Sequence, residues 1–388
     1  MNAGRSARVD ALSGLRFAAA LAILAFHAGA PLFRGAPLWA ERVRAGGFVW
    51  VGLFYLLSGF VLAYSNPTPM DAEARRRFLA ARLARLYPAY LLAFLLFAPF
   101  ALPRWAGGGT AAVVKAGIVA LSSLLLVQAW VPPLSRIWNP PGWSTSVVAS
   151  FYLAFPSILS RLAPRTRAGL WRATLLAWAA ALSLPLAYLA LHPDGVGAEL
   201  LTREPRWLEA LKFHPLSRAG EFVAGVALGI LVRSRGTSLR RAGAPAAMLA
   251  LAAALAVLAW GGAPYVLLHN GLLLPLFAVA VVGLASAPEC LAARLLGSSP
   301  ARILGEASFA LYALEDPLWR WARLLHGEQT PPSPAFAAAF CVAAVSAAVA
   351  VSRGMERPAR RWLRRLLATR APAEPGLGAL RQVARSEA

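Results

Sequence analysis

Arg16 and His27 stand eleven residues apart inside one apolar run. At 100° per residue, eleven steps return to within about 20° of the same helix face and climb about 16 Å. One face of a helix then carries a permanent cation near one end and an imidazole far along it. Imidazole titrates near neutral pH, which suits general-base work on a hydroxyl. A core histidine bonded to a neighbouring carbonyl is the equal alternative. Arg82 and Arg85 share another helix face at i and i+3, just before Tyr87-Pro88. Such a fork of guanidiniums suits phosphate groups, and positive anchoring at a membrane edge explains it equally well. Trp143-Ser144-Thr145-Ser146, with Phe151-Tyr152 beyond it, offers hydroxyl donors and aromatic faces. Ser58-Gly59 interrupts an apolar run with a small pair, the usual mark of close helix packing. Arg218 and Glu221, at i and i+3, have the spacing of an ion pair and are expected to be structural.

Other chemistries leave no trace. The chain has no P-loop, no GxSxG elbow, no His-rich metal spacing and no paired Asp-x-Asp. An ATP-driven pump, a serine hydrolase, a zinc enzyme and a metal-dependent glycosyltransferase are all disfavoured, and no metal site is expected. Cys290 and Cys341 have no Cys or His at ligand spacing and read as small core hydrophobes.

The elements that must position these side chains are membrane helices. The chain has 388 residues, 59% of them hydrophobic and only 14% charged, against about a quarter charged in a soluble protein. The net charge of +22 does not point to nucleic acid, because the arginines come in short clusters between apolar runs, as in cytoplasmic membrane loops. Runs of membrane length fall at 12–30, 48–65, 86–103, 111–131, 144–160, 173–191, 218–232, 243–260, 270–287, 303–322 and 335–352. The clusters lie at Arg75–Arg85, Arg161–Arg172, Arg233–Arg241 and Arg353–Arg370. Placing all four on one side of the membrane requires an even number of crossings between 86 and 160. Three runs lie there, so one of them is re-entrant or merely buried. Val131 to Gly142 is rich in proline and is expected to wall a cavity, since non-helical backbone at membrane depth needs protein or water around it. The expected fold is an all-α polytopic membrane protein of about ten transmembrane helices around a central cavity, with one re-entrant segment. Residues 1–352 form the transmembrane domain, and 353–388 form a basic cytoplasmic tail that lies loosely on the anionic leaflet.

Taken in order, the motifs resemble the acyltransferase-3 family of multi-pass membrane O-acyltransferases, over nearly the whole chain. Arg16 and His27 match its basic residue, ten residues, histidine motif, and Arg8 to Arg16 is similar to its R-x-x-x-L-D-G-L-R opening. Leu57-Ser58-Gly59-Phe60 is similar to its S-G-F segment, and Arg82-x-x-Arg85 with Tyr87-Pro88 to its R-x-x-R segment. Trp143 to Val147 with Phe151 to Pro156, Leu216 to Gly225, Leu304 to Tyr312 and Glu356-Arg357-Pro358 complete the set. There are departures: Val148 stands at a usual glutamate, Ser13 at a usual aspartate, and Glu315-Asp316-Pro317 where many members carry His-Trp-Pro.

The resemblance implies an acyltransferase with no permanently bound cofactor and acyl-CoA, usually acetyl-CoA, as co-substrate. The acceptor would be a hydroxyl of a sugar, glycan or glycosylated metabolite. His27 would be the base; Arg16, Arg82 and Arg85 would hold the coenzyme phosphates. Ser58, Trp143, Ser144 and Tyr152 would line the acceptor side or steady an oxyanion. The expected setting is a bacterial plasma (inner) membrane with both termini cytoplasmic and membrane lipids as neighbours. Val148 motivates the reading of a catalytically inactive member; in an active one, Glu315 or Asp316 would substitute for the missing carboxylate. A lipid-linked saccharide transporter would use the same cavity without chemistry.

Overall fold

The computed structural model describes residues 3–198, 205–235 and 243–369. These residues form helices and no strand. The helices are α1 (Ala3–Ala28), α2 (Leu38–Ala45), α3 (Trp50–Ser65), α4 (Ala72–Ala101), α5 (Gly109–Leu124) and α6 (Gly142–Leu162). They continue as α7 (Arg167–Leu191), α8 (Arg206–Phe213), α9 (Pro215–Arg235), α10 (Gly243–Trp260), α11 (Tyr265–His269) and α12 (Leu274–Ser286). The last four are α13 (Leu291–Leu296), α14 (Ser299–His326), α15 (Pro334–Val351) and α16 (Arg357–Thr369). Nine helical stretches among the described residues are long and apolar enough to cross a membrane. Helix α14 has 28 residues and packs against α1, α4 and α15, but its six charged side chains keep it out of that set.

The odd run is α5. Its 16 residues reach about 24 Å, short of a bilayer core of about 30 Å. Its end meets the middle of α4, where Tyr87 and Tyr90 donate to the carbonyls of Leu124 and Ser123. Leu126 turns in the left-handed region at φ 58°, a strained choice for leucine that marks the reversal. The chain then returns to Pro141 through two short 3-10 turns, Gln128–Trp130 and Pro132–Leu134. Its backbone is met by side chains: Gln128 Nε2 donates to the Gly142 carbonyl at 3.0 Å, and Ser146 Oγ to the Leu126 carbonyl at 2.6 Å. Trp138 stacks on Phe94 at 4.3 Å and donates its indole N–H to the Phe94 carbonyl. Irregular backbone at this depth survives because protein, not lipid, surrounds it. Counting α14 as a crossing and α5 as turned back satisfies the parity that the arginine clusters require.

Helices α3 and α9 make the broadest contact in the bundle. A Cβ on Gly59 would lie 2.2 Å from the Phe222 carbonyl oxygen, and one on Gly225 equally close to that of Leu56. The small residue beside Ser58 is therefore a packing device, as its type suggests. Past α15, a π-turn over Ser352–Glu356 leads into α16, where Arg357 pairs with Glu306 at 2.6 Å. Where a loose tail was expected over 353–388, the chain is helical to Thr369 and α16 packs along α4. Arg240, Arg241 and Arg370 onward lie outside the described residues.

Candidate active site

Two cavities meet inside the bundle. They hold about 80 and 150 Å³ of water-accessible space and share Val51 and Tyr312 as a common wall. Arg16 lines the first and His27 the second. The single face of α1 thus runs from one cavity to the other, as the eleven-residue spacing requires.

Arg16, Arg82 and Arg85 converge on the first cavity from α1 and α4, with Ser58, Ser144, Tyr152 and Tyr312 among the other walls. The three guanidiniums are close enough to repel one another. None has a carboxylate within ion-pair distance among the described residues. Glu356 lies near Arg85, but its ion pair is with Arg360, at 3.8 Å. Val148, at the family's usual glutamate, also lines this cavity, so no carboxylate enters from α6.

The second cavity holds the imidazole. His27 Nδ1 lies 2.7 Å from Oε1 of Glu315, a carboxylate only 1% exposed. With Nδ1 engaged by that oxygen, Nε2 is the ring nitrogen left to accept a proton. Both partners are held in place. Arg44 of α2 donates to the Phe26 carbonyl at 2.9 Å and so ties down the end of α1. On α14, Tyr312 Oη donates to the Pro141 carbonyl at 3.2 Å, and Asn139 Nδ2 to the Ala313 carbonyl at 3.3 Å. The proline-rich return therefore walls the cavity, through Arg136, Pro140 and Pro141, and also fixes the turn that presents Glu315. Phe26, Phe48, Trp143, Phe213 and Tyr265 give this chamber aromatic walls.

The predicted residues divide between the chambers. Trp143 belongs with His27, whereas Ser58, Ser144 and Tyr152 stand on the arginine side of the Tyr312 wall. Arg218 and Glu221 form the buried ion pair their spacing suggests, at 3.0 Å, and Arg218 also donates to the His269 carbonyl and to Asn270 Oδ1. Glu315 was the residue hardest to rank from sequence. The signal was there, since a carboxylate in an apolar helix needs a partner, but the partner is 288 residues away. Tyr312 was visible only as a motif letter, and Arg136, Lys212 and His269 carried no signal. Among the described residues no cluster of His, Cys, Asp or Glu could hold a metal ion.

Nine apolar stretches of membrane length among the described residues, around paired cavities, one holding a histidine and one a nest of arginines, define an all-α multi-pass membrane protein. The acyltransferase-3 family model, described as an acyltransferase domain, matches residues 9–353, and the chain belongs to that family. It is 30% identical to Acyltransferase MdmB of Streptomyces mycarofaciens, over 93% of this chain and 94% of that protein. It is also 42% identical to "Protein 2 in picA locus" of Rhizobium radiobacter, over 23% of this chain and 44% of that one. No solved structure matches. The chain is thus a membrane acyltransferase.

Proposed function

We propose that the chain moves an acyl group, most simply acetyl, from acyl-CoA to a hydroxyl of a sugar, glycan or glycosylated metabolite. The observation that carries this reading is the His27–Glu315 pair at 2.7 Å, facing a chamber that adjoins three guanidiniums without carboxylate partners. The arginine-rich end is cytoplasmic by the positive-inside rule, and the membrane is a bacterial plasma membrane. Donor phosphates bind Arg16, Arg82 and Arg85 through charge-assisted bonds. The thin pantetheine arm passes Tyr312, and the thioester carbonyl reaches the histidine chamber.

There His27 Nε2 takes the proton of the acceptor hydroxyl as its oxygen attacks the thioester carbon. The C–S bond breaks, the coenzyme thiolate leaves and takes the proton from the imidazolium, and an ester remains. Glu315 holds the imidazole in the tautomer that leaves Nε2 basic and stabilises the cation formed in passing. The aromatic walls suit an acceptor with apolar faces and few polar anchors. Glu315 supplies a carboxylate where Val148 does not, which favours a working enzyme over an inactive member. The test is release of free coenzyme A and formation of an acylated acceptor by purified protein, comparing wild type with His27→Ala and Arg85→Ala. Equal rates in all three would overturn the proposal.

A further inference from the structure

A third recess opens on the outside of the bundle, between α4, α6 and the turn after α5. At about 740 Å³ of water-accessible space it is several times the size of either inner cavity. Its lining is almost wholly apolar, and several of the side chains are open to the surroundings, Leu83 at 54%, Leu125 at 62% and Leu153 at 61%. In a membrane protein such a face meets lipid chains. Two cations stand in this apolar wall, Arg76 and Arg82. Arg76 is 57% exposed and reaches Glu73 only at 3.6 Å. Arg82 lies over the Phe78 ring at 5.2 Å, and its buried Nε has no hydrogen-bond acceptor among the described residues. Arg82, Leu86 and Tyr152 also line the arginine cavity, so these side chains stand between groove and cavity.

An apolar groove that carries two guanidiniums matches one class of molecule, an amphiphile with an anionic head. The surrounding bilayer supplies it in quantity. We propose that this groove is a binding site for an anionic phospholipid, its phosphate on Arg76 and Arg82 and an acyl chain along Leu83, Leu125 and Leu153. A neutral or zwitterionic lipid gains the same apolar contact without the charge term, so selectivity should follow headgroup charge. Arg82 then faces two phosphate sites, one inside the bundle and one at its lipid surface.

The site can be tested without turnover and so independently of the proposed donor. Protein is reconstituted with equal phosphatidylglycerol and phosphatidylcholine, extracted in mild detergent, and its retained lipid is weighed by native mass spectrometry. Wild type should keep phosphatidylglycerol over phosphatidylcholine by at least about fivefold, the worth of one or two arginines near an anionic headgroup. Arg76→Gln should erase most of that preference, and Ala149→Trp, which fills the groove from α6, should lower retention of both lipids. Arg75→Gln removes the same charge beside the groove without lining it and should leave retention unchanged. Equal retention of the two lipids would overturn the proposal, as would an Arg75→Gln effect equal to that of Arg76→Gln. Displacement by free glycerol phosphate at the lipid's own concentration would also overturn it, because the groove would then be an anion site with no role for the chain.

Discussion

The two inner cavities treat charge in opposite ways. In the histidine chamber the protein provides its own counter-charge: Glu315 stands 2.7 Å from His27, and Glu221 stands 3.0 Å from Arg218. In the arginine chamber three guanidiniums gather with no carboxylate in ion-pair reach among the described residues. Taking a charge out of water is costly unless something compensates it. Charges compensated from within can serve as permanent machinery, whether scaffold or base. Charges left uncompensated make sense when a mobile anion completes them for part of each cycle. On the proposed function, the comparison separates a built-in half of the site from a half that the substrate would finish.

Breaking the permanent pairs should cost most. Arg218→Ala leaves Glu221 buried without a partner and removes the bonds to His269 and Asn270, so stability should fall by about 3–5 kcal/mol, read as a lowered unfolding temperature in detergent. Replacing both members, Arg218→Met with Glu221→Leu, should recover most of that loss. A mild Arg218→Ala would mean that the upper charges are not self-compensated and would collapse the contrast. Next, His27→Ala should lower kcat by about 10²–10⁴-fold while leaving the donor KM within a few-fold. A rise in donor KM instead would move the histidine into the substrate-finished half.

Glu315→Gln keeps the volume but loses the carboxylate, freeing the imidazole to turn or change tautomer; kcat should drop about 10²-fold, again without a change in donor KM. Glu315→Asp should restore part of the rate, which a purely structural carboxylate would not do. Arg85→Gln should show the reverse split, with donor KM up about tenfold, the worth of one charge-assisted bond, and kcat nearly unchanged. With a short thioester that lacks phosphates, wild type and Arg85→Gln should become equal. That result would isolate the phosphate contact from any general effect of the substitution.

The sequence carried one half of this contrast better than the other. Arg16, His27, Arg82 and Arg85 are local signals: helical period and i, i+3 spacing place each on a known face, and the cavities lie along those faces. Arg218 and Glu221 are equally local. What no local pattern held was the closing contact, because the bond from His27 to Glu315 depends on how α1 and α14 lean together. The re-entrant segment was half legible. Charge parity required that one of three runs fail to cross, yet 111–131 is as apolar as its neighbours. The choice falls on α5 because Tyr87 and Tyr90 catch its carbonyl end and Leu126 turns the chain back, contacts that hydropathy does not encode. Ser144 and Tyr152 show a further limit, since they share a helix with Trp143 but face the other chamber.

The smallest expected effect is also the most discriminating. The resemblance implies a glutamate where Val148 stands, and restoring the acid would be the obvious repair of the site. The structure argues otherwise. Val148 lines the arginine chamber, beyond Tyr312 from the imidazole, and Glu315 already supplies His27 with a carboxylate. Val148→Glu should therefore leave kcat unimproved. Its carboxylate would instead stand among Arg16, Arg82 and Arg85 and compete with the donor's phosphates for them. Donor KM should rise a few-fold, on the scale of one partly screened charge contact, and the rise should disappear with the phosphate-free thioester. A gain in kcat would show that the acid acts on the base across the Tyr312 wall, and the two chambers would then have to be treated as a single electrostatic site.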